Sequence, residues 1–138
     1  MVNFKTLKVG DALPERRYTA TNVSLFCYNA SIWNPHWIHY DECYATEVEK
    51  HPGVVIDGPL QGDWLSQTVV NWIGDDAALV SFGYSNRRAS YLGETLTSGG
   101  TITSIDSQTG EVGVNIHLKN ENDEVTSPGS AVVRFRIN

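Results

Sequence analysis

Two hydrophobic patterns divide the chain into a first half rich in helix signals and a second half rich in strand signals. Between residues 23 and 33, apolar residues recur at three- and four-residue spacing, and Thr21 or Asn22 stands where a helix cap belongs. This apolar stripe consists of Val23, Phe26, Cys27, Ala30 and Trp33. Asn34-Pro35 predicts the end of the helix, because a residue that precedes proline is disfavoured in the helical region. Upstream, "GDALPERRYTAT" predicts a turn and a short extended segment.

A second, longer helix is predicted in the middle of the chain, over "PLQGDWLSQTVVNWIG". Its apolar residues cover more than one face, so we expect it to be largely buried. Pro59 in the first turn and Gly74 just past the last turn fit the preferences of helix ends. Before this helix, Asp41 can cap a short helix that runs to about Glu49. The segment "HPGVVIDGP" then predicts a loop, a three-residue apolar strand and the start of the long helix.

The second half predicts four strands, in "ALVSFGYSN", "ETLTSGGTITSI", "EVGVNIHLKN" and "VTSPGSAVVRFRIN". One buried helix with mostly consecutive strands indicates an α+β fold, in which a long central helix is wrapped by a curved antiparallel sheet. We expect a single domain over residues 1–138. A single sheet of this kind leaves open edges, which predicts that a second copy of the chain continues it.

Composition and charge narrow the possible partners and the compartment. The net charge of −6 argues against nucleic acid, because phosphate contacts need a basic face. No apolar run resembles a signal peptide or a membrane span, so we expect a cytoplasmic protein that does not bind membranes. Cys27 and Cys43 lack the spacing of a disulfide framework, and we expect free, buried thiols.

Candidate chemistry is concentrated in "SIWNPHWIHYDECYA". His36, His39 and Asp41 could form a metal set, but only three ligands are present and no further Cys or Glu has suitable spacing. Asp41 is better explained as a helix cap, and His39 alone could be a core histidine bonded to a backbone carbonyl. No nucleophile elbow, phosphate loop or dinucleotide fingerprint is present.

The stretch "NPHWIHYDECYATEVEKHPGVVIDGPL" resembles the signature of MaoC-like hot-dog dehydratases and hydratases. It is most similar to the branch with mitochondrial-type 3-hydroxyacyl-thioester dehydratases and mesaconyl-CoA hydratases. The matching residues are Asn34, His36, Ile38, His39, Tyr40, Asp41, Pro52, Gly53, Val54, Val55, Gly58, Pro59 and Leu60. The later "RRASYLGETLTSGGTIT" also resembles a family segment, so the similarity spans about residues 10–138. It implies a hot-dog domain that reversibly hydrates a trans-2-enoyl thioester of CoA or acyl carrier protein, without a metal or cofactor.

The resemblance also implies roles for individual residues. His39 becomes the acid and base, which suits an imidazole because it titrates near neutral pH. The family's broader pattern has Asp at position 34, where this chain has Asn34, which can orient water but cannot accept a proton. The Gly58 N–H, at the start of the long helix, becomes the donor to the thioester oxygen as negative charge develops there.

Asp57 departs from the resemblance, because the family usually has His there. Its carboxylate could cap the helix N–H groups or repel the developing oxyanion, and either effect opposes catalysis. Asp57 and Asn34 therefore favour an alternative, a catalytically inactive subunit of a heteromeric hydratase. A third hypothesis is a hot-dog thioesterase, for which Asp63 is the available carboxylate.

Further candidates for substrate contact accompany these residues. Arg87 and Arg88 could hold a CoA or carrier-protein phosphate, and a solvated strand face is their alternative. His36 and Asp57 complete the set of predicted substrate-binding residues. The tryptophans are expected in the core or on the walls of an acyl pocket; they are Trp33, Trp37, Trp64 and Trp72. We expect a homodimer or a higher oligomer, with a heteromeric partner as the alternative.

Overall fold

The computed structural model describes residues 2–137 and confirms the α+β arrangement. Its strands and long helices are, in chain order, β1 (Arg16–Thr19), α1 (Asn22–Ile32), α2 (Gly58–Ile73), β2 (Ala77–Tyr84), β3 (Thr95–Asp106), β4 (Glu111–Lys119) and β5 (Val125–Phe135). Short 3-10 turns occupy Phe4–Thr6 and Trp37–His39, and one π-helical turn occupies Tyr44–Val48. All four strands predicted in the second half are present, and the extended segment before α1 is β1.

The five strands form one antiparallel sheet in the order β1-β3-β4-β5-β2. Bulges interrupt the pairing of β2 with β5, of β3 with β4 and of β4 with β5, and bulges bend a sheet. Helix α2 packs against β2, β3, β4 and β5. The core lies between them and includes Leu65, Val69, Val114 and Val133, all of which are almost fully buried. Within residues 2–137, no helix is both long and apolar enough to cross a membrane.

The ends of both long helices follow from local sequence. Thr21 caps α1 in a reciprocal capping box with Ser24, and Trp33 ends the helix in the left-handed region, with φ 55°. Pro59 lies in the first turn of α2, and Gly74 follows its last residue. Asp41 Oδ1 accepts a hydrogen bond of 2.8 Å from the Tyr44 N–H, which confirms the predicted cap.

Burial corrects several expectations. The predicted apolar stripe of α1 faces solvent, with Trp33 91% exposed, whereas Leu25 and Asn29 are the buried residues of this helix. The reason is that α1 turns a polar residue, Asn29, toward the start of α2. Both thiols are free but exposed, so the expected burial of Cys27 and Cys43 is wrong.

Three further features differ from prediction. Trp37 is exposed and Trp72 only partly buried, whereas Trp64 packs in the core as expected. Helix α2 is buried on its sheet-facing side and leaves Val70 exposed, so it is less enclosed than its all-round apolar pattern indicates. The three-residue apolar strand is reduced to a single bridge between Val55 and Tyr91, although residues 54–56 are buried.

Candidate active site

Asp57, the residue before α2, is the centre of a buried polar cluster. Its side chain is 0% exposed and makes no capping bond to the helix. Instead, Oδ2 accepts a hydrogen bond of 2.9 Å from Asn29 Nδ2, and Oδ1 accepts one of 3.1 Å from Asn34 Nδ2. The carboxylate thus turns away from the helix N–H groups, and the capping that the sequence raised as an objection to catalysis does not occur.

Hydrogen bonding fixes the orientation of both asparagine side chains. Asn29 Nδ2 also donates to the Leu25 carbonyl at 2.8 Å, so its two N–H groups face acceptors that cannot donate. The Asn29 Oδ1 is buried, with no partner in the part of the chain described. Asn34 Oδ1 accepts from the His36 backbone N–H at 3.2 Å, which leaves Nδ2 toward Asp57. One of the two N–H groups of Asn34 Nδ2 is left after the bond to Asp57.

His39 faces the same carboxylate and is held in one tautomer. Only 9% of the residue is exposed, and Nδ1 lies 2.8 Å from the Val55 carbonyl oxygen. Because a carbonyl oxygen only accepts, Nδ1 carries the hydrogen, and in the neutral ring Nε2 carries the lone pair. Nε2 lies 3.6 Å from Asp57 Oδ1. Nδ1 thus makes the backbone bond expected of a structural histidine, and the acid–base role that the resemblance implies for His39 stays a prediction, to be carried by Nε2.

The start of α2 provides hydrogen-bond donors next to this pair. The first N–H groups of a helix have no intrahelical acceptor, and the side chain of Asp57, the residue at the cap position, does not bond to them. Gly58 lies at this end, directly after Asp57, and its carbonyl accepts a hydrogen bond of 3.2 Å from the Tyr84 hydroxyl. A Cβ atom at Gly58 would overlap Asn86 Nδ2. A side chain at Gly58 would therefore force the Asn86 side-chain amide to move, and Asn86 is a neighbour that sequence reasoning did not identify.

The remaining predicted substrate-binding residues, His36, Arg87 and Arg88, are all exposed. The exposed His36 ring lies 5.8 Å from the His39 ring, centroid to centroid. Arg88 forms an exposed ion pair of 2.8 Å with Glu124, and exposed Arg87 places Nε 3.3 Å from Ser85 Oγ. Both arginines follow Asn86 on the same loop, and their role in substrate binding stays a prediction.

Asp63, the thioesterase candidate, has a different partner. It accepts a hydrogen bond of 2.8 Å from the Tyr28 hydroxyl at the exposed surface between α1 and α2. Burial, this hydrogen bond and the negative charge of Asp63 raise the pKa of Tyr28 above its usual range. The contact accounts for Asp63 as a link between the two helices.

A concavity of about 370 Å³ opens beside the buried cluster. It is lined by Phe26, Asn29, Ala30, Trp33, Asn34, Pro35 and Tyr40. Its walls are mostly apolar, and the two asparagines that bind Asp57 form its polar part. Among residues 2–137, no three His, Cys, Asp or Glu side chains gather in an arrangement that could hold a metal ion.

Comparison with known proteins gives two curated relatives. The chain is 38% identical over 58 residues to the mitochondrial hydroxyacyl-thioester dehydratase type 2 of Schizosaccharomyces pombe, covering 41% of this chain and 19% of that protein. It is 50% identical over 36 residues to the mesaconyl-C(4)-CoA hydratase of Chloroflexus aurantiacus, covering 26% of this chain and 13% of that protein. The matches thus span less than a fifth of either relative's length.

Solved structures share the fold over nearly the whole chain. A MaoC-like dehydratase superposes with a TM-score of 0.88 at 26% identity, over 96% of this chain and 42% of the other. The ChsH1-ChsH2 complex of Mycobacterium tuberculosis contains a chain that superposes with a TM-score of 0.82 at 17% identity, over 94% and 98% of the two chains. These neighbours identify the α2-and-sheet arrangement as a hot-dog fold.

The match that decides the family covers the site itself. The sequence model of the family described as hydroxyacyl-thioester dehydratase type 2 matches residues 5–92, which include α1, the His39 segment and all of α2. The match covers well over half of the chain. This protein therefore belongs to the hydroxyacyl-thioester dehydratase type 2 family.

Proposed function

We propose that the protein catalyses the reversible addition of water to a trans-2-enoyl thioester of CoA or acyl carrier protein. The observation that carries the proposal is the fixed tautomer of His39, whose Nε2 lone pair lies in a buried cluster beside the uncapped start of α2. The two relatives named above, a dehydratase and a hydratase, support the same reaction class.

The chemistry assigns one task to each part of the site. His39 Nε2 takes a proton from water while the water oxygen bonds to the β-carbon of the substrate. The electrons of the carbon–carbon double bond move toward the thioester, whose oxygen gains negative charge. The Gly58 N–H and the positive end of α2 stabilise that charge. The proton then passes from Nε2 to the α-carbon, so the product contains one added water and no cofactor is consumed.

Several neighbouring groups suit the binding of water and substrate. The remaining N–H of Asn34 can hold the water, since its other polar bonds are made to Asp57 and His36. The apolar concavity along α1 suits an acyl group. Exposed Arg87, one residue after the amide that contacts Gly58, can reach a phosphate of the carrier, and exposed His36 can contact substrate at the rim.

We further propose that the protein acts as a homodimer or a higher oligomer. Strand β2 is an edge of the sheet and exposes Leu79 and Val80, which a second copy could cover. A heteromeric assembly is the alternative, and the named two-component complex among the structural neighbours provides a precedent in this fold.

One experiment separates hydration from the two other functions. Purified protein is incubated with a series of enoyl-CoAs of increasing chain length, while loss of the conjugated-enoyl absorbance and release of free thiol are followed together. We expect loss of absorbance without thiol release, and a fall of at least about 10²-fold in the His39→Ala variant. Thiol release that is lost in Asp63→Asn would instead establish a thioesterase. No turnover of any enoyl-CoA, with a related protein co-purifying, would establish an inactive subunit.

A further inference from the structure

We propose that Asp57 is a positioning residue that pairs with His39 and stabilises its protonated ring. Asn34 cannot fill this role, because its amide carries no negative charge. The inference rests on the hydration proposed above, because the protonated ring forms when His39 removes a proton from water. It relates two features of the sequence: Asp57 stands where the family usually has His, and Asn34 stands where the broader pattern has Asp, so the carboxylate lies at position 57 and the neutral amide at position 34.

The first argument is the burial of an acidic group without a basic partner. Asp57 is fully buried, and its one ion-pair contact within residues 2–137 is with His39. A buried carboxylate is costly unless hydrogen bonds and an opposite charge compensate it. Asn29 and Asn34 supply hydrogen bonds but no charge. A protonated His39 would supply the charge, so the carboxylate and the protonated ring stabilise each other.

The second argument is that Asn34 and Asp57 are matched. The amide nitrogen of Asn34 lies 3.1 Å from Asp57 Oδ1, and its oxygen is held by the His36 backbone N–H. An aspartate at position 34 would therefore bring two carboxylates into contact next to one imidazole. Like charges so close oppose one another. A single carboxylate in this pair of positions avoids that repulsion, and in this chain it lies at position 57.

The third argument is the direction of the imidazole. The Val55 carbonyl fixes Nδ1 as the protonated nitrogen, so the proton taken from water arrives on Nε2, 3.6 Å from Asp57 Oδ1. Asp57 neither gains nor loses a proton in the cycle; its negative charge faces the ring while the ring is positive. His36, an exposed ring whose centroid lies 5.8 Å from that of His39, also faces it and contributes no negative charge.

Four variants test the pairing: Asp57→Asn, Asn34→Asp, the double variant Asn34→Asp/Asp57→Asn, and Asp75→Asn as a charge-matched control. Asp75 is exposed and follows the far end of α2. For Asp57→Asn we expect kcat for enoyl-CoA hydration to fall about 10²-fold with little change in KM. The double variant returns a carboxylate to the neighbouring position, and we expect it to recover at least about tenfold of that loss. The control is expected to keep the wild-type rate.

A second readout does not depend on turnover. The ring nitrogens of His39, followed by NMR on labelled protein at a fixed pH near 6.5, report how much of the ring carries two protons. We expect this fraction to fall in Asp57→Asn and to recover in the double variant. In Asn34→Asp two carboxylates lie in contact, and a doubly protonated His39 ring relieves their repulsion, so we expect the fraction to exceed the wild-type value.

The outcomes distinguish this inference from the proposed function. A wild-type protein that hydrates no enoyl thioester refutes the function, while the NMR series still decides the pairing. Wild-type kcat and wild-type ring protonation in Asp57→Asn would overturn the pairing, as would a folded double variant no better than Asp57→Asn in both readouts. If Asp57→Asn does not fold, Asn34→Asp decides alone, and an unchanged protonated fraction refutes the proposal.

Discussion

At the scale of single residues, the site depends on close contacts between side chains far apart in the chain. Gly58 illustrates this, because a Cβ atom there would overlap the Asn86 side-chain amide, which would have to move. The same glycine begins α2, and in the proposed mechanism its N–H is the donor to the thioester oxygen. A side chain at this position would therefore disturb both the helix start and the neighbouring amide.

The substitution Gly58→Ala tests this contact. We expect kcat/KM for enoyl-CoA hydration to fall about 10²-fold, because small displacements of positioning groups cost activity of this order. Gly53→Ala is the matched control: a Cβ atom there meets nothing within 4 Å, and neither glycine has a positive φ. Equal activities of the two variants would show that the crowding at Gly58 has no catalytic consequence.

His117 on β4 gives a pH prediction unrelated to the site. Burial and then the positive charge of Lys119 lower the pKa of His117 below its ordinary value of 6.5, although Glu15 and Asp123 act in the opposite direction. The unfolded chain therefore binds this proton first as the pH falls. The contribution of neutral His117 to stability is complete above pH 6.5 and decreases as the pH falls below that value.

Urea unfolding of the wild type and of His117→Asn, measured above and below pH 6.5, tests this predicted loss of stability toward low pH. We expect the free energy of unfolding to fall less in the variant than in the wild type between about pH 7.5 and 5.5. An equal or steeper fall in His117→Asn would contradict the prediction.

Part of this site could be predicted from residue types and spacing, and part could not. The similarity of "HWIHYD" and "IDGPL" to a known pattern indicated His39 and Gly58. Asn29 and Asn86 were not identified, because each acts through a partner distant in sequence: Asn29 binds Asp57, and Asn86 packs on Gly58. Asp57 was identified, but its orientation was not, since a residue before a helix can turn its side chain either way.

At the scale of secondary structure, local signals fixed the ends of the helices better than their buried faces. The capping box at Thr21 and the glycine after Ile73 act within one turn, so the sequence carries them directly. The apolar stripe predicted on α1 has regular helical spacing, but spacing alone does not show whether another element packs against that face. In the structure the sheet covers α2, whereas α1 contributes only Leu25 to the core.

The unequal burial of α2 gives a stability prediction. Leu65 is fully buried against the sheet, and its replacement by Ala should lower the free energy of unfolding by about 2–5 kcal/mol through lost packing and a residual cavity. Val70→Ala, on the exposed side of the same helix, is the control, with an expected change within about 0.5 kcal/mol. Chemical denaturation of both variants measures the difference, and a similar loss in each would refute the assigned face.

At the scale of the whole molecule, the strand order leaves β2 and β1 as the two edges of the sheet. Strand β2 is the longer of the two, and its bulge falls at Val80, which is 47% exposed. Natural sheets protect such edges with charge, irregular pairing or a neighbouring chain. The absence of Lys and Arg from residues 77–84 favours the neighbouring chain.

A lysine on that edge tests the proposed assembly. We expect Val80→Lys to convert the oligomer to a monomer in light scattering coupled to size-exclusion chromatography, because a buried ammonium group opposes pairing of the edges. Val9→Lys adds the same charge at an exposed turn outside the sheet and should leave the mass unchanged. An oligomer that persists in Val80→Lys would locate the interface elsewhere.

The hydration of crotonyl-CoA by the purified chain, compared with its His39→Ala variant, tests the central claim most directly. The account predicts loss of the conjugated-enoyl absorbance, formation of the 3-hydroxyacyl thioester without free thiol, and a rate at least about 10²-fold lower in the folded variant. Equal rates in the two proteins would contradict the assignment of His39, whose Nδ1 is fixed by Val55 and whose Nε2 is left to carry the proton.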